Sequence, residues 1–442
     1  MSKPLVAVVG RPNVGKSTLF NKLAGRRISI VEDTPGVTRD RIYADAEWRS
    51  IQFGLIDTGG IEPNSEDVIF SQMRAQAEIA METADVILFL VDGKEGLTTS
   101  DRDVADMLLR TRKHIVLAVN KIDSARIPDN YFDFFELGFG EPIAISAANM
   151  LGLGDLLDKI VENMSRDEID ADDDAVRIAV IGKPNVGKSS LVNALLGENR
   201  VIVTEIAGTT RDSVDTPFIW NGKNFVLIDT AGLRRKSKIA DDIEKYSMFR
   251  TVAAVERSDV CLLMIDAQEG VTEQDKRIAG IAHEAGKGII IVVNKWDLIQ
   301  KETGTMKEFQ KKIRAELVFM AYAPDVFISV TQRQRLQNIM ELAEYVSEKR
   351  ALRVRTGPLN SLLADAVMMK PPPSDKGRRL KIYYISQIGV KPPLFSLKVN
   401  DENLMHFSYA RYLENRIRES FGFEGTSIKF VISSNAASSN DV

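Results

Sequence analysis

The sequence has a single cysteine and only three histidines in 442 residues. Cys261 cannot form a disulfide within the chain, and it lies in the apolar run VCLLMID, which predicts a buried residue without a chemical role. The histidines, His114, His283 and His406, are far apart and lack the spacing of metal ligands. The composition therefore excludes a disulfide framework and a thiolate metal site.

Long apolar runs and a one-sided charge are also missing. No stretch has the length of a membrane span, and no secretory leader or lipidation motif is evident. The formal net charge is −4, so the chain as a whole has no charge that would attract nucleic acid. We expect a cytoplasmic, soluble and monomeric protein of about three domains.

What the sequence does contain is a duplication. GRPNVGKST begins at Gly10 and GKPNVGKSS at Gly182, each after a short apolar run and before a helical pattern. The later elements recur with nearly the same offset, which is 172 residues at the phosphate motif and 174 at Asn120 and Asn294. A constant offset indicates duplication of a whole domain, since chance motifs would not keep it.

Each glycine-rich segment predicts a phosphate-binding loop between a strand and a helix. Backbone N–H groups at a helix N-terminus can surround phosphate oxygens, and glycine lets the backbone come close. Lys16 and Lys188 would face the β- and γ-phosphates, and Ser17 and Ser189 would offer a hydroxyl to Mg²⁺. The predicted loops are Gly10, Arg11, Pro12, Asn13, Val14, Gly15, Lys16 and Ser17, and Gly182, Lys183, Pro184, Asn185, Val186, Gly187, Lys188 and Ser189.

Two further elements complete each predicted phosphate site. Thr38 and Thr210 lie in loop-like stretches suited to close on a γ-phosphate, so we count them with the two lysines as catalytic and with the serines as Mg²⁺ ligands. Asp57 and Asp229 end apolar strands, where a carboxylate would lie near the metal ion. The predicted residues of this element are Asp57, Thr58, Gly59, Gly60 and Ile61, and Asp229, Thr230, Ala231, Gly232 and Leu233.

The Asn-Lys-x-Asp elements indicate the base. A carboxylate can accept hydrogen bonds from N1–H and the exocyclic amine of guanine, whereas adenine has neither donor there. The same tetrapeptide stands at the end of an apolar strand in both copies, so the predicted ligand is GTP or GDP. Its residues are Asn120, Lys121, Ile122 and Asp123, and Asn294, Lys295, Trp296 and Asp297.

Apolar strand-like runs alternate with helical stretches through both repeats. This pattern predicts an α/β fold with two doubly wound, mostly parallel sheets, one in residues 1–164 and one in residues 176–350. The acidic stretch between them, residues 165–175, predicts a flexible linker, with repulsion of RNA or binding of a basic partner as the alternative.

Residues 351–442 predict a third, smaller α+β domain with a net charge of +5. Two basic groups are candidate RNA contacts, and a solvated basic face is the alternative for both. The first consists of Lys376, Arg378, Arg379 and Lys381 with Tyr383, and the second of Arg411 and Arg418.

With these motifs, the chain resembles the Der family (double Era-like GTPases, also called EngA). The most distinctive segments are the doubled GxPNVGKS loops, DTAGLRRK at Asp229–Lys236 and KGRRLKIYY at Lys376–Tyr384. The resemblance implies two tandem P-loop GTPase domains followed by a KH-like domain. It also implies a role in maturation of the large ribosomal subunit, with ribosomal RNA and ribosomal proteins as partners. A nucleotide-dependent protein with a non-ribosomal protein or membrane partner is the alternative.

The chain departs from relatives at the position after the Asp-x-x-Gly glycine. Many relatives have a water-orienting glutamine there, whereas Ile61 and Leu233 cannot hydrogen-bond a water, so hydrolysis should be slow unaided. In related GTPases that lack the glutamine, an asparagine of the phosphate loop helps to hold K⁺. Asn13 and Asn185 match that position and predict stimulation by K⁺, with simple bracing of the loop as the alternative.

Two family elements differ near the second site and in the C-terminal domain. The fifth guanine element is Ser146-Ala147 in the first copy and Ser329-Val330 in the second, where the branched side chain predicts weaker nucleotide binding. Gly422-Phe-Glu-Gly425 matches the GxxG letters of KH domains, but it joins a helix to a strand and carries Glu424. We expect contacts with the ribosome or another domain instead of strand clamping, and Gly422 as a helix-ending glycine.

Overall fold

The computed structural model describes residues 3–24, 43–58, 66–111, 113–124, 127–164, 175–197, 201–203, 215–228, 243–372, 374–375 and 378–434. Thr38, Gly59–Ile61, Thr210 and Asp229–Leu233 lie outside this part of the chain, as do Lys376 and most of the acidic linker. The chain forms two compact units. The first comprises residues 1–29, 38–171 and 239–256, and the second comprises residues 30–37, 172–238 and 257–442.

The first repeat forms a sheet of six strands in the order β2-β3-β1-β4-β5-β6. β2 is antiparallel to β3 and the other pairs are parallel. β1 is buried at all five positions because helices cover both faces of a parallel sheet, which explains its continuous apolar sequence. The elements are β1 (Leu5–Val9), α1 (Lys16–Ala24), β2 (Tyr43–Trp48), β3 (Ile51–Asp57), α2 (Glu66–Thr83), β4 (Val86–Asp92), α3 (Thr99–Leu108), β5 (His114–Asn120), a 3₁₀ helix (Asp129–Leu137), β6 (Ile143–Ala144) and α4 (Leu153–Asn163).

The second repeat has the same plan, with the strand order β13-β12-β11-β7-β10-β9-β8. The pairs β8–β9 and β9–β10 are antiparallel and the others are parallel. Cys261 is fully buried in β11, as predicted. The elements are β7 (Val176–Ile181), α5 (Lys188–Leu196), β8 (Val201–Val203), β9 (Thr216–Trp220), β10 (Lys223–Leu227), α6 (Ile243–Arg257), β11 (Val260–Asp266), α7 (Glu273–Glu284), β12 (Gly288–Asn294), α8 (Thr305–Glu316), β13 (Asp325–Phe327) and α9 (Leu336–Arg350).

In each sheet the direction of winding reverses at the first strand of the repeat. β1 lies between β3 and β4, and β7 lies between β10 and β11. The loops that leave neighbouring strands on either side of such a point diverge and create a crevice at the carboxyl edge of the sheet. The phosphate loops follow β1 and β7, and the Asn-Lys-x-Asp motifs begin at the ends of β5 and β12. Because these strands are parallel within each sheet, the fold brings the motifs of each repeat to one edge.

Helix α6 shows that sequence order and packing can differ. Its residues up to Glu256 belong to the first unit, where Phe249 and Ala253 join the core formed with Leu5 and Ala77. Arg250 pairs with Glu82 at 2.7 Å in the same unit. The helix is therefore a structural part of the first unit, although the chain reaches it after the second phosphate loop.

The C-terminal residues form a small α+β layer within the second unit. β16 is antiparallel to β17, and β17 is parallel to β18. Leu359 and Leu363 of α10 and Leu413 of α11 pack against Phe395 and Phe423 in one core. The elements are α10 (Thr356–Met369), β14 (Ser374–Asp375), β15 (Arg378–Arg379), β16 (Ile382–Gly389), β17 (Leu394–Val399), α11 (Phe407–Phe421) and β18 (Lys429–Ser434).

Candidate guanine-nucleotide sites

The first phosphate loop connects β1 to α1 and carries a buried lysine at the start of the helix. The Lys16 ammonium donates to the carbonyl oxygens of Gly10 at 2.7 Å and Arg11 at 2.6 Å. Burial lowers the pKa of Lys16 to about 8. These bonds hold a cation at the helix N-terminus, where the backbone N–H groups also favour an anion.

The second phosphate loop repeats this geometry. The Lys188 ammonium donates to the carbonyl oxygens of Gly182 at 2.7 Å and Lys183 at 2.8 Å, and burial lowers the pKa of Lys188 to about 8. Gly187 precedes the helix with a φ of 102°, matching 98° at Gly15. The duplication seen in the sequence is thus a duplication of atomic contacts.

Ser17 and Asp57 lie together at the first phosphate loop. β3 runs parallel to β1, so Asp57 at its end is in register with Val8 just before the loop. The Ser17 hydroxyl donates to the Asp57 carboxylate at 3.0 Å. The neighbouring Thr58 hydroxyl donates to the carbonyl oxygen of Val8 at 2.5 Å, which fixes the end of β3 against β1. These oxygens are of the type that Mg²⁺ prefers.

We call the Asn-Lys-x-Asp segments, residues 120–123 and 294–297, the base loops. Their asparagines connect each base loop to the phosphate loop of the same copy. The side-chain amide of Asn120 donates to the carbonyl oxygen of Val14 at 2.7 Å, and its own oxygen accepts the N–H of Ala147 at 2.9 Å. In the second copy, the side-chain amide of Asn294 donates to the carbonyl oxygen of Val186 at 2.8 Å, and its oxygen accepts the N–H of Val330 at 3.2 Å. One buried asparagine in each copy therefore joins three of the predicted elements.

Asp123, the predicted guanine acceptor, is exposed and already surrounded by donors. The Lys94 ammonium is 2.7 Å from its carboxylate, and the Ser146 hydroxyl donates to it at 2.7 Å. Asn149 donates to the same carboxylate at 3.1 Å. The bonds from Lys94 and Ser146 hold the pKa of Asp123 below its ordinary value, so the group is a carboxylate that can accept hydrogen bonds.

The third residue of Asn-Lys-x-Asp, Ile122 in the first copy and Trp296 in the second, is buried. Ile122 donates its N–H to the carbonyl oxygen of Ile145 at 3.0 Å, and Trp296 donates its N–H to Ile328 at 3.0 Å. The Trp296 ring packs against Phe327 with 4.5 Å between ring centroids. Both residues therefore anchor the base loop to the sheet.

The fifth guanine element, Ser146-Ala147 in the first copy and Ser329-Val330 in the second, has the same backbone pairing in both copies. Ser146 bridges to Leu151 and Ser329 to Gln334, each as an isolated antiparallel bridge. The Val330 side chain packs against the hydrophobic core of the second unit, while its N–H faces Asn294. The tight turn that follows is made without glycine, by Arg333 and Arg335 with φ of 52° and 59°.

Asn13 and Asn185 both adopt left-handed backbone conformations, with φ of 65° and 63°. Asparagine tolerates this region better than most residues do. Both are exposed at the loop surface. The position is equivalent in the two copies, and it is open to a ligand.

Two buried aspartates outside the predicted site residues, Asp92 and Asp266, hold the lysine of Asn-Lys-x-Asp. The Lys121 ammonium pairs with Asp92 at 2.5 Å, and the Lys295 ammonium pairs with Asp266 at 2.6 Å. Burial raises the pKa of Asp92, but hydrogen bonds from Lys121 and from backbone N–H groups outweigh it and hold that pKa below its ordinary value. The signal was present, because each aspartate ends an apolar strand and the two are 174 residues apart.

The Gly422–Gly425 loop follows α11 and leads toward β18, as its sequence predicted. Gly422 ends the helix with a φ of 95°. Gly425 donates its N–H to the carbonyl oxygen of Tyr322 at 2.9 Å and accepts the N–H of Ile289 at 2.7 Å. The loop is thus bound to β12 of the second repeat, and these backbone groups are not free to hold a nucleic-acid strand.

The two basic groups of the C-terminal domain differ in exposure. Arg378 and Arg379 are exposed, with Tyr383 also on the surface. The expectation for Arg411 and Arg418 as an RNA surface is wrong. Arg418 lies over the Tyr322 ring at 4.6 Å and donates to the carbonyl oxygen of Thr426 at 2.9 Å, while Arg411 donates to Val318 at 2.5 Å. Their charges are used within the second unit.

Comparison with known families supports the interpretation of the two repeats as GTPase domains. Residues 5–121 and 177–295 match the family described as "50S ribosome-binding GTPase", and residues 353–432 match "KH-domain-like of EngA bacterial GTPase enzymes, C-terminal". The chain is 61% identical over 433 residues to the GTPase Der of Alkaliphilus oremlandii and 60% identical over 436 residues to that of Acetivibrio thermocellus. These alignments cover 98% of this chain and 98% and 99% of the two relatives. The chain belongs to the Der family of GTPases.

The family resemblance and the fold class predicted from the sequence are therefore confirmed. Membership in the Der family makes the chain a GTPase with two tandem P-loop domains and a KH-like C-terminal domain, and its ligand is a guanine nucleotide. A solved structure of the FeoB G-domain from Methanococcus jannaschii aligns with 37% of the chain at 25% identity and a TM-score of 0.29, which adds nothing to the assignment. In the described part of the chain, no helix is long and apolar enough to cross a membrane.

Proposed function

We propose that this Der-family GTPase is a GTP-controlled switch in assembly of the large ribosomal subunit in the cytoplasm. The observation that carries the proposal is the duplicated tie of Asn120 to Val14 and Asn294 to Val186. This tie joins the Asn-Lys-x-Asp segment to the phosphate loop in both copies, which supports guanine-nucleotide binding at both. The match to a family described as "50S ribosome-binding GTPase" supports the choice of partner.

The proposed reaction is attack of water on the γ-phosphate of GTP, which gives GDP and phosphate. Lys16 and Lys188 neutralise charge on the β- and γ-phosphates, and the loop N–H groups donate to the phosphate oxygens. Thr38 and Thr210 close on the γ-phosphate and open after it leaves. Catalysis in this account is positioning and charge neutralisation by the chain's own groups.

The residues present fit a Mg²⁺ ion. The Ser17 hydroxyl and Asp57 carboxylate, 3.0 Å apart, are hard oxygen ligands at the mouth of the loop. We assign Thr38 to the same set, and Ser189, Thr210 and Asp229 to the second site. When bound, Mg²⁺ neutralises charge on the phosphate oxygens.

We further propose that Asn13 and Asn185 help to hold K⁺, because Ile61 and Leu233 offer no group to orient water. The exposed, left-handed position of both asparagines supports this role. We also propose that the second site binds nucleotide more weakly, since Val330 replaces alanine and its N–H bond to Asn294 is the longer one.

The surface formed by Arg378, Arg379, Lys381 and Tyr383 is the proposed contact with ribosomal RNA. Arg378 and Arg379 form the two-residue strand β15, and Tyr383 lies in β16. The Arg378 side chain is 73% exposed although it pairs with Asp401 at 3.3 Å. Exposed arginines beside tyrosine can neutralise phosphates and stack on unpaired bases. The net charge of +5 in residues 351–442 favours the same partner.

The test is sedimentation of the full chain with purified ribosomal subunits at low salt. We expect comigration with the large subunit in a non-hydrolysable GTP analogue and none in GDP. A double variant, Arg378→Glu with Arg379→Glu, should lose comigration, while the control Lys311→Glu with Lys312→Glu should retain it. Absence of comigration in every nucleotide state would overturn the proposal in favour of a non-ribosomal partner.

A further inference from the structure

The segment that follows β4 contacts both the phosphate loop and the base loop. We call Asp92–Asp101, with its repeat Asp266–Asp275, the bracing loop. It contains none of the residues assigned above to nucleotide or Mg²⁺. Its contacts recur in part in the two copies, with two differences in sequence: Lys183 stands in place of Arg11, and Gln268 stands in place of Lys94.

In the first copy, Arg11 anchors the phosphate loop to the bracing loop. Its Nη1 donates to Glu95 at 2.8 Å and its Nε donates to Oδ1 of Asp101 at 2.9 Å. Asp101 is fully buried and is itself held, because Oδ2 accepts the N–H and the hydroxyl of Thr98. The carbonyl oxygen of Arg11 accepts the Lys16 ammonium at 2.6 Å. Fixing the Arg11 side chain therefore fixes the peptide that holds the phosphate-binding lysine.

The same loop holds the base loop from its other end. One oxygen of Asp92 pairs with Lys121 at 2.5 Å, while the other accepts the N–H of Lys94 at 2.8 Å. The Lys94 side chain reaches Asp123. In the first copy, the bracing loop thus links the groups that face phosphate to the group that faces guanine.

In the second copy, Lys183 replaces Arg11 and the brace is weaker. The Lys183 ammonium pairs with Glu269 at 2.6 Å but lies 3.6 Å from Oδ2 of Asp275. Asp275 is fully buried and capped by Thr272, yet its Oδ1 has no hydrogen-bond partner among the described residues. In the first copy the equivalent oxygen accepts the Arg11 Nε. Arginine donates from two nitrogens at once, from Nε to Asp101 and from Nη1 to Glu95, although its buried Nη2 has no partner among the described residues. Of Glu269 and Asp275, the single ammonium of lysine reaches only Glu269 within hydrogen-bond distance.

We propose that Arg11 and Lys183 are positioning residues that pre-order the phosphate loop through the buried aspartate of the bracing loop. It follows that arginine makes the first site release nucleotide more slowly than the second. The inference rests on the proposed binding of guanine nucleotide at both sites. A loop already held in its binding geometry loses less conformational freedom when phosphate binds, so the complex is longer lived.

The test exchanges the two residues and measures each site alone. Asp297→Asn removes the guanine acceptor of the second site and Asp123→Asn that of the first, so each background retains one site. In the first background we compare Arg11 with Arg11→Lys, and in the second we compare Lys183 with Lys183→Arg. The measurement is the dissociation rate of a fluorescent GDP analogue, with the thermal unfolding midpoint as a check on folding.

We expect Arg11→Lys to speed release from the first site by roughly tenfold, and Lys183→Arg to slow release from the second site by several-fold, the size of one hydrogen bond to a charged group. Release from the first site should be faster still in Arg11→Ala, because alanine makes neither bond to the bracing loop. Lysine at this position should therefore restore part of the slow release. Opposite changes at the two sites are the signature, since a purely structural role would make both exchanges neutral or harmful. Unchanged release in both exchanges would overturn the inference alone, whereas no GDP binding in either parent would overturn the proposed function.

Discussion

The side-chain amide of Asn120 donates to the carbonyl oxygen of Val14 at 2.7 Å, across 106 residues of chain. The contact needs Gly15 next to Val14, because a Cβ on Gly15 would lie 2.3 Å from the Asn120 amide nitrogen. The second copy has the same arrangement, with 2.5 Å between a Cβ on Gly187 and the Asn294 amide nitrogen. The glycine of the loop thus serves the base loop as well as the phosphate.

Gly15→Ala should therefore weaken GDP binding at the first site by about 100-fold. The φ of 98° disfavours a side chain, and Asn120 must also give up its bond to Val14. Titration of the variant in the Asp297→Asn background measures the effect. Gly154→Ala is the matched control, since a Cβ there meets nothing within 4 Å. Equal affinity of Gly15→Ala and the control would contradict the role of this glycine.

GTP turnover should be faster in KCl than in NaCl at equal ionic strength. The stimulation should disappear in a double variant, Asn13→Gly with Asn185→Gly. Glycine tolerates the left-handed backbone at both positions, so the variant loses the side-chain amide while the loop conformation is kept. Initial rates of phosphate release give the answer. Equal rates in the two salts for the original chain would rule out the K⁺ site.

Gly425→Ala should destabilise the second unit by several kcal/mol. A Cβ there would lie 2.3 Å from the Val346 side chain, and the φ of 75° adds strain. The expected result is a midpoint of thermal unfolding lower by about 5–10 °C. Gly357→Ala, where a Cβ meets nothing within 4 Å, should leave the midpoint unchanged or slightly raised. An unaltered midpoint for Gly425→Ala would mean that the loop does not pack against Val346 of α9.

The stability of the second unit should fall with acid because of His283. Burial, with the charges of Lys429, Arg418 and Arg411, lowers the pKa of His283 to about 4, against 6.5 for an unperturbed histidine. The unfolded chain therefore binds more protons between these two values, and stability is lost as the pH falls from 6.5 toward 4. The loss is at most about 3 kcal/mol.

Urea unfolding at several pH values, with His283→Gln as the comparison, measures this loss. The Nδ1 of His283 is 2.7 Å from the Tyr322 hydroxyl, and glutamine can offer a hydrogen bond without gaining a proton. The variant should show a flatter pH dependence over this range. Parallel pH curves for the two proteins would exclude His283 as the cause.

Much of the fold could be predicted from the sequence because a parallel sheet leaves a strong local signal. The apolar run before the first phosphate loop is strand β1, and the helical pattern after the second phosphate loop is helix α5. β2 gives no such signal, since its sequence YADAEW lies at a sheet edge where burial on both faces is not required. The bounds of a strand are therefore easiest to predict in the centre of a sheet, where burial on both faces requires a continuous apolar sequence.

The contacts around the sites were harder to predict, because they depend on partners distant in sequence. Nothing local to Arg11 indicates a bond to Asp101, and nothing local to Gly425 indicates Ile289. Arg418 was misread for the same reason, since its charge is visible in the sequence but its place over Tyr322 is not. Charge alone does not distinguish a surface from an internal anchor.

The central claim is that both copies are guanine-nucleotide sites. Equilibrium dialysis with radiolabelled GDP at saturating concentration tests it most directly. The account predicts two GDP per chain, one in Asp123→Asn and one in Asp297→Asn, with no displacement by excess ATP. One GDP per chain for the unaltered protein, or displacement by ATP as readily as by GTP, would contradict it.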